Sequence, residues 1–179
     1  RLILMQEVYD VYYKGSHRAK QLYNMAIASL QAERQLKQPT LLEQAKEASL
    51  IDISLPDIKG KQQKLSDLKG KVVLLDFTAY QTDYSPEYNI LLAKIYKQFR
   101  DKGFEIYQVS LDNNENFWKV SASNLPWICV RDEASIYSTV ANLYNVKNLP
   151  SAFLIDRTGA IQKRIASIES ISGEIQKLL

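Results

Sequence analysis

Residues 71–87 combine the side chains and the elements that could carry chemistry in this chain. A continuous apolar run, residues 72–75, is typical of a strand that is buried on both faces of a sheet. A polar turn follows, and Pro86 is well placed in the first turn of a helix. Because the free N–H groups at the start of a helix favour an anion such as a thiolate, we expect any chemistry of the chain in this turn.

The turn supplies two hydroxyl groups, on Thr82 and Ser85. A hydroxyl acts as a nucleophile only beside a general base, and the one histidine, His17, lies in the N-terminal segment. Asp83 is adjacent to Thr82, but it is more simply explained as a helix-capping or turn residue. The sequence therefore does not favour a hydrolase.

The cysteine and histidine content excludes two further kinds of site. Cys129 is the one cysteine of the chain, so no intramolecular disulfide can form. It lies in an apolar segment, residues 125–130, where a free cysteine is usually an inert core residue. With one histidine, one cysteine and no ligand spacing, no metal site is predicted, and no cofactor is expected.

Composition restricts the partners of the chain. The 179 residues are 46% hydrophobic and carry a net charge of +3, without a long run of one sign. No basic patch with interleaved aromatic residues occurs, so nucleic acid is not expected as a partner. No apolar stretch approaches the roughly 20 residues of a membrane span, so no transmembrane segment is predicted. The sequence begins with arginine, so a targeting signal would be missing from it.

The elements that position the turn are predicted over residues 51–179. Residues 51–70 read as a β-hairpin, and the central strand after it leads through the turn into a helix over 87–100. The remaining elements are predicted in this order: strand 104–111, helix 114–121, strand 127–130, a helix from 132 or 133 to about 143, a hairpin of strands 152–155 and 160–165, and helix 168–179. The order is that of an α/β domain, with a β-α-β half followed by a β-β-α half.

Residues 1–48 are predicted to form a helical arm or the remnant of a longer N-terminal region. Apolar residues recur at spacings of three and four along 2–36, and Thr40 begins a capping-box pattern with Glu43. The sequence leaves two roles open for this arm: it packs on the following domain, or it binds a partner, including a second copy in a homodimer.

Three segments carry a resemblance to a known family: 65–71 (LSDLKGK), 71–87 (KVVLLDFTAYQTDYSPE) and 144–155 (YNVKNLPSAFLI). Together they resemble the thioredoxin-like superfamily, and most closely its TlpA/ResA-like, AhpC/TSA-related thiol-disulfide oxidoreductases. The resemblance covers about residues 51–179. It implies a central mixed sheet flanked by helices, an N-terminal β-hairpin, and a location in the periplasm or cell envelope of a bacterium.

The turn departs from the family pattern. The family carries W-C-x-x-C after a D/N-F-W-A segment, and here residues 76–79 (DFTA) match that segment while Thr82 and Ser85 stand at the cysteine positions. A hydroxyl forms no disulfide and does not ionise as thiol exchange requires near neutral pH. The resemblance implies that Asp76 is the family's buried acid, with a pKa raised by burial. Without a thiol to serve, Asp76 is predicted to reach Thr78, Thr82 or Ser85 by hydrogen bonds.

Pro150 matches the cis-proline loop of the family, which faces the C-x-x-C turn and pairs through its backbone with an extended substrate peptide. The resemblance therefore implies a peptide groove at Leu149 and Pro150, which strand addition can use without thiols. Tyr80 and Tyr84 are predicted to form its aromatic rim if both are exposed beside Leu149. In the alternative, Pro150 only shapes the start of the strand, Tyr80 and Tyr84 lie at the edge of the sheet, and Tyr88 packs on the helix.

The sequence leaves three functions open. The favoured one is a redox-inactive member of the thiol-disulfide oxidoreductase family that binds an extended peptide or a protein. The second is a thiol-disulfide oxidoreductase that works through Cys129 or through a partner's thiol. The third is an assembly element that dimerises through its helical arm.

Overall fold

The computed structural model of the protein describes residues 52–179. The predicted helical arm lies outside the described residues, so its fold and any dimer formed through it stay predictions. The described part begins with two short antiparallel strands, β1 (Ser54–Pro56) and β2 (Gln62–Lys64). The carboxylate of Asp57 holds the turn between them, because it accepts hydrogen bonds from two backbone N–H groups of that turn. This is the predicted N-terminal hairpin.

The central sheet has five strands in the order β5-β4-β3-β6-β7. Strands β3, β4 and β5 are parallel, whereas β6 is antiparallel to β3 and β7 is antiparallel to β6. All residues of β3 and β4 are buried, as expected for strands that are covered on both faces. The bounds of the strands are β3 Val72–Thr78, β4 Phe104–Ser110, β5 Ile128–Arg131, β6 Ser151–Ile155 and β7 Ile161–Ile165.

Helices cover both faces of the sheet. The α-helices of the described part are α1 Ser85–Phe99, α2 Glu115–Ala122, α3 Thr139–Leu143 and α4 Ile171–Leu178. Short 3-10 helices lie at Leu65–Leu68, Arg100–Lys102, Ser135–Tyr137 and Ile168–Ser170. Gly103 ends the segment after α1 at φ +92°, a left-handed conformation that is cheap for glycine, as its position in the sequence predicts.

The helix before the cis-proline loop is shorter than predicted. The sequence predicts a start at Asp132 or Glu133, but α3 begins at Thr139. The Asp132 carboxylate accepts hydrogen bonds from the backbone N–H of Ala134 and the hydroxyl of Ser138, which holds residues 132–138 in a turn. An acidic side chain that bonds its own turn competes with helix formation, so the pattern placed the start of the helix too early.

Alternation along β3 divides the core in two. Val72 and Leu74 face α1, α4 and part of α2, whereas Val73, Leu75 and Phe77 face α3 and the hairpin region. Asp76 has the same parity as Val72 and Leu74, so its side chain lies on the α1 face of the sheet. This placement decides which groups can meet it.

Candidate functional site

The turn between β3 and α1 lies at the edge of the sheet where the parallel strands end. Asp112, just beyond β4, fixes this turn: its carboxylate accepts hydrogen bonds from the backbone N–H of Tyr80 at 2.8 Å and of Gln81 at 3.0 Å. The Ser110 hydroxyl donates to the same carboxylate at 2.7 Å. The sequence prediction omits Asp112, although its place at the end of the neighbouring parallel strand is the signal that could have identified it.

Thr82 and Ser85 use their hydroxyl groups locally. The Thr82 hydroxyl donates to the carbonyl oxygen of Ala79 at 2.7 Å, which closes the turn. Ser85, the first residue of α1, is buried, and its Oγ accepts a 3.4 Å hydrogen bond from Asn89 Nδ2. Neither bond involves a side chain that could act as a general base. The geometry gives no support to nucleophilic chemistry at these two positions.

The start of α1 decides between the two expectations for Asp83, because this residue lies in the turn before the helix. Asp83 does not cap this helix, because Tyr84 occupies the N-cap position and makes no side-chain cap hydrogen bond. Pro86 lies in the first turn and removes one of the N–H groups that a cap would satisfy.

Asp76 is fully buried under α1. Its carboxylate accepts hydrogen bonds from the Tyr88 hydroxyl at 2.7 Å and from Gln108 Nε2 at 2.9 Å. The predicted partners Thr78, Thr82 and Ser85 are therefore wrong, because the carboxylate is directed beneath the helix rather than toward the turn. Burial raises the pKa of Asp76 to about 6, and the hydrogen bonds from Gln108 and Tyr88 oppose that rise. The direction of this shift is the one predicted.

Gln108 is the centre of a buried hydrogen-bond network on the α1 face. It pairs with Asp76 across β3 and β4 and with Cys129 across β4 and β5. Its Oε1 accepts three hydrogen bonds, from Tyr80 Oη at 2.7 Å, Trp127 Nε1 at 2.9 Å and Cys129 Sγ at 3.9 Å. Its Nε2 donates two, to the Asp76 carboxylate at 2.9 Å and to Asn89 Oδ1 at 3.1 Å. The sequence prediction omits Gln108, although its parity with Phe104 and Ile106 in β4 would have placed it on the face of Asp76 once the register was known.

Cys129 is held inside this network. It is 6% exposed, and burial raises the pKa of its thiol to about 12. The residue also lines a cavity of about 220 Å³ beside Trp127. Its position in the wall of this cavity does not make Cys129 a nucleophile, because a thiol with this pKa stays protonated at neutral pH.

Of the two tyrosines predicted to form the aromatic rim of the peptide groove, Tyr84 is exposed and Tyr80 is buried. Tyr80 is 5% exposed and its hydroxyl points into the core toward Gln108, so the condition that both tyrosines are exposed is not met. Tyr84 is 39% exposed. Tyr88 is half-buried and packs on the core under α1, as the alternative interpretation expected.

The loop before β6 lies beside the turn. The Leu149–Pro150 peptide bond is cis, and the next residue, Ser151, pairs with Phe77 near the end of β3. Arg164 fixes this loop from β7, because its guanidinium donates to the Asn145 carbonyl at 3.0 Å and to Ser151 Oγ at 2.9 Å. Leu149 and Pro150 are half-buried. The strand register thus brings the loop and the β3–α1 turn to one edge of the sheet.

Within residues 52–179, no group of three histidine, cysteine, aspartate or glutamate side chains is arranged to hold a metal ion. In the same part of the chain, no helix is long and apolar enough to cross a membrane.

Comparison with known proteins identifies relatives in bacteria. The model of the AhpC/TSA family matches residues 47–164. The thiol-disulfide oxidoreductase ResA of Bacillus cereus is 30% identical over 129 residues, which are 68% of this chain and 72% of the relative. That of Bacillus subtilis is 34% identical over 113 residues, which are 61% of this chain and 60% of the relative.

Solved structures share the fold. An uncharacterised thioredoxin-like protein from Bacteroides vulgatus is 51% identical with a TM-score of 0.68, over 73% of this chain and 86% of the other. A thiol-disulfide oxidoreductase from Bacteroides fragilis is 30% identical with a TM-score of 0.67, over 74% of this chain and 100% of the other. These matches confirm the predicted α/β thioredoxin-like fold, with a mixed sheet between helices. The chain therefore belongs to the AhpC/TSA family, as a TlpA/ResA-like relative of the thiol-disulfide oxidoreductases.

Proposed function

We propose that the protein is a redox-inactive member of this family, which binds an extended peptide or protein segment at the edge of the sheet. The state of Cys129 carries the proposal. Disulfide exchange needs an accessible thiolate, and the one thiol of the chain is buried with a pKa near 12. The hydroxyls of Thr82 and Ser85 cannot replace it. By similarity to bacterial ResA proteins, the proposal includes a location in the bacterial cell envelope.

The groove supports the binding part of the proposal. Among the described residues, the backbone N–H and carbonyl of Leu149 have no hydrogen-bond partner, so both can pair with an added strand. Tyr84 offers a half-exposed aromatic ring at the same edge, and Pro150 and Leu149 offer apolar surface. Because Asp112 and Arg164 fix the two segments, a ligand meets a preorganised surface and loses less free energy in ordering it.

Restoring the cysteine pair is expected to restore catalysis. In an insulin-reduction assay, the wild-type chain should not exceed the background rate without protein. A Thr82→Cys, Ser85→Cys double variant should exceed that background at least roughly tenfold, since a thiol at a helix N-terminus ionises more readily. A Cys129→Ser change should leave both proteins unaltered. Activity of the wild type that Cys129→Ser abolishes would instead establish an oxidoreductase that works through Cys129.

Removing the exposed ring is expected to weaken peptide binding. The probe is an acetylated and amidated hexapeptide of alternating valine and threonine, titrated into the labelled wild-type protein while amide signals of residues 79–84 and 148–151 are followed by NMR. Tyr84→Ala should weaken binding about tenfold, because exposed aromatic side chains dominate small interfaces. The matched control is Phe117→Ala, which removes an aromatic ring of similar exposure, 42% against 39%, from α2. An equal loss in both variants, or no saturable shift at the groove, contradicts the binding role.

A further inference from the structure

Two carboxylates flank the exposed ring of Tyr84. Asp83 precedes it directly in the turn, and Glu87 follows three residues later in the first turn of α1. Tyr84 has helical backbone angles, and its carbonyl oxygen accepts a 3.1 Å hydrogen bond from the N–H of Tyr88. Residues three apart on a helix are neighbours on its surface, with Cβ atoms about 5 to 6 Å apart. The ring of Tyr84 therefore lies next to negative charge on both sides along the chain.

The protein does not neutralise these two carboxylates. Asp83 and Glu87 are exposed, and among residues 52–179 they form no hydrogen bond and no ion pair. The exposed acid Glu115 of α2 differs in this respect, because it forms a 2.7 Å ion pair with Lys119. The two acids beside the ring thus keep their charge available to a ligand.

The other charges at this edge of the sheet do not reverse the sign. β7 ends at the same edge as β3, because its last residue pairs with Ala152 at the start of β6. Within the described part of the chain, Glu133 after β5 and Glu169 after β7 are also exposed and unpaired, against one exposed lysine of these turns, Lys147. Two buried carboxylates balance the two guanidinium groups that hold backbone carbonyls at this edge (Asp112 and Asp132; Arg131 and Arg164).

The positive end of α1 does not cancel the charge beside the ring either. A helix N-terminus carries about half a positive charge, which an acid in the first turn stabilises. Asp83 and Glu87 bring two full negative charges to this place. The helix therefore offsets about a quarter of that charge, and the remainder can attract a cation.

We propose that the peptide groove selects a segment with lysine or arginine at the position that lies on Tyr84. The face of an aromatic ring attracts a cation, and carboxylates beside the ring add a Coulomb attraction. An acidic residue meets repulsion at the same place, and a neutral polar residue gains neither interaction. This inference rests on the proposed function, since it names the chemistry of the extended segment that the groove binds.

The test uses the acetylated and amidated valine–threonine hexapeptide, with each threonine in turn replaced by lysine, glutamine or glutamate. Each peptide is titrated into the labelled wild-type protein while amide signals of residues 79–84 and 148–151 are followed by NMR. At about 20 mM salt, the best lysine peptide should bind about fivefold more tightly than its glutamine counterpart, and no glutamate peptide should do so. At about 500 mM salt this advantage should fall below about twofold, because salt screens exposed charges.

Two double variants with the same change of net charge separate the local effect from the overall one. Asp83→Asn, Glu87→Gln should bind the lysine and glutamine peptides with equal affinity. Asp67→Asn, Asp101→Asn is the matched control, because these exposed acids lie before β3 and before β4, at the opposite edge of the sheet. The control should keep the advantage of the lysine peptide.

Two results would overturn the selection of a basic residue. One is equal affinity of the lysine and glutamine peptides for the wild-type protein at low salt. The other is a lysine advantage that Asp83→Asn, Glu87→Gln leaves in place or that both double variants lose equally. Saturable shifts would still support the groove in these cases. If no peptide gives a saturable shift, the groove and its selectivity are contradicted together.

Discussion

Replacing Gln108 by leucine is expected to lower the free energy of unfolding by about 3 to 5 kcal/mol, because several buried polar groups lose a partner at once. Leucine has a similar volume, so the change removes hydrogen bonds without opening a large cavity. The hydroxyl of Tyr80 and the indole N–H of Trp127 would lose their acceptor, and the carboxylate of Asp76 would lose one of its two donors. Each such orphaned group costs roughly 1 to 3 kcal/mol.

The measurement is urea unfolding at pH 7, with the midpoint and the slope compared between variants. Gln81→Leu is the matched control, because Gln81 is an exposed residue of the nearby turn. A surface change of this kind should alter the free energy of unfolding by less than about 0.5 kcal/mol. Losses of equal size in both variants would mean that the network around Gln108 contributes nothing particular to the fold.

The network also explains how the turn keeps its conformation without a disulfide. Gln108 joins β4 to the side chains of Tyr80 in the turn and Asn89 in α1, and Asp112 holds the backbone of the same turn. The groove is thus shaped by polar groups under it and beside it. The proposed binding role would depend on this rigidity, because an extended ligand contributes few contacts of its own.

The strands and helices after residue 51 could be predicted because their signals are local. The apolar run of β3, the alternation of the hairpin and the position of Gly103 each depend on near neighbours in the chain. Gln108 and the burial of Tyr80 could not be read in the same way. Both depend on the pairing of Asp76 with Gln108 across β3 and β4, which the pattern of one strand does not contain. For polar residues on buried strands, the sequence pattern therefore does not predict the hydrogen-bond partners, because these depend on the register between neighbouring strands.

A second large effect concerns pH. Relative to Asp76→Asn, the wild-type protein is expected to gain about 2 kcal/mol of stability as the pH falls from 7 to 4, out of about 3 kcal/mol once the pH lies well below 3.8. The pKa of Asp76 is about 6 in the fold against an ordinary value of 3.8, and each pKa unit corresponds to about 1.4 kcal/mol. Since the folded-state value is raised, the folded protein favours the protonated acid. Its contribution is complete below the ordinary pKa and is lost as the pH rises through about 6.

The measurement is the free energy of unfolding of both proteins across this range, taken as a difference curve. Asp57 and Asp156 have lowered pKa values, so they act in the opposite direction, but they are present in both proteins and cancel. Tyr88→Phe provides the second variant: it removes a donor that lowers the pKa of Asp76, so the inflection should move to higher pH. A level difference curve, or an inflection that Tyr88→Phe leaves in place, would show that Asp76 does not titrate as a buried acid held by Tyr88. If the difference curve slopes and Tyr88→Phe moves its inflection to higher pH, the ionised carboxylate of Asp76 lowers the free energy of unfolding at neutral pH. The protein then retains a destabilising buried acid although the chain has no cysteine pair for it to serve.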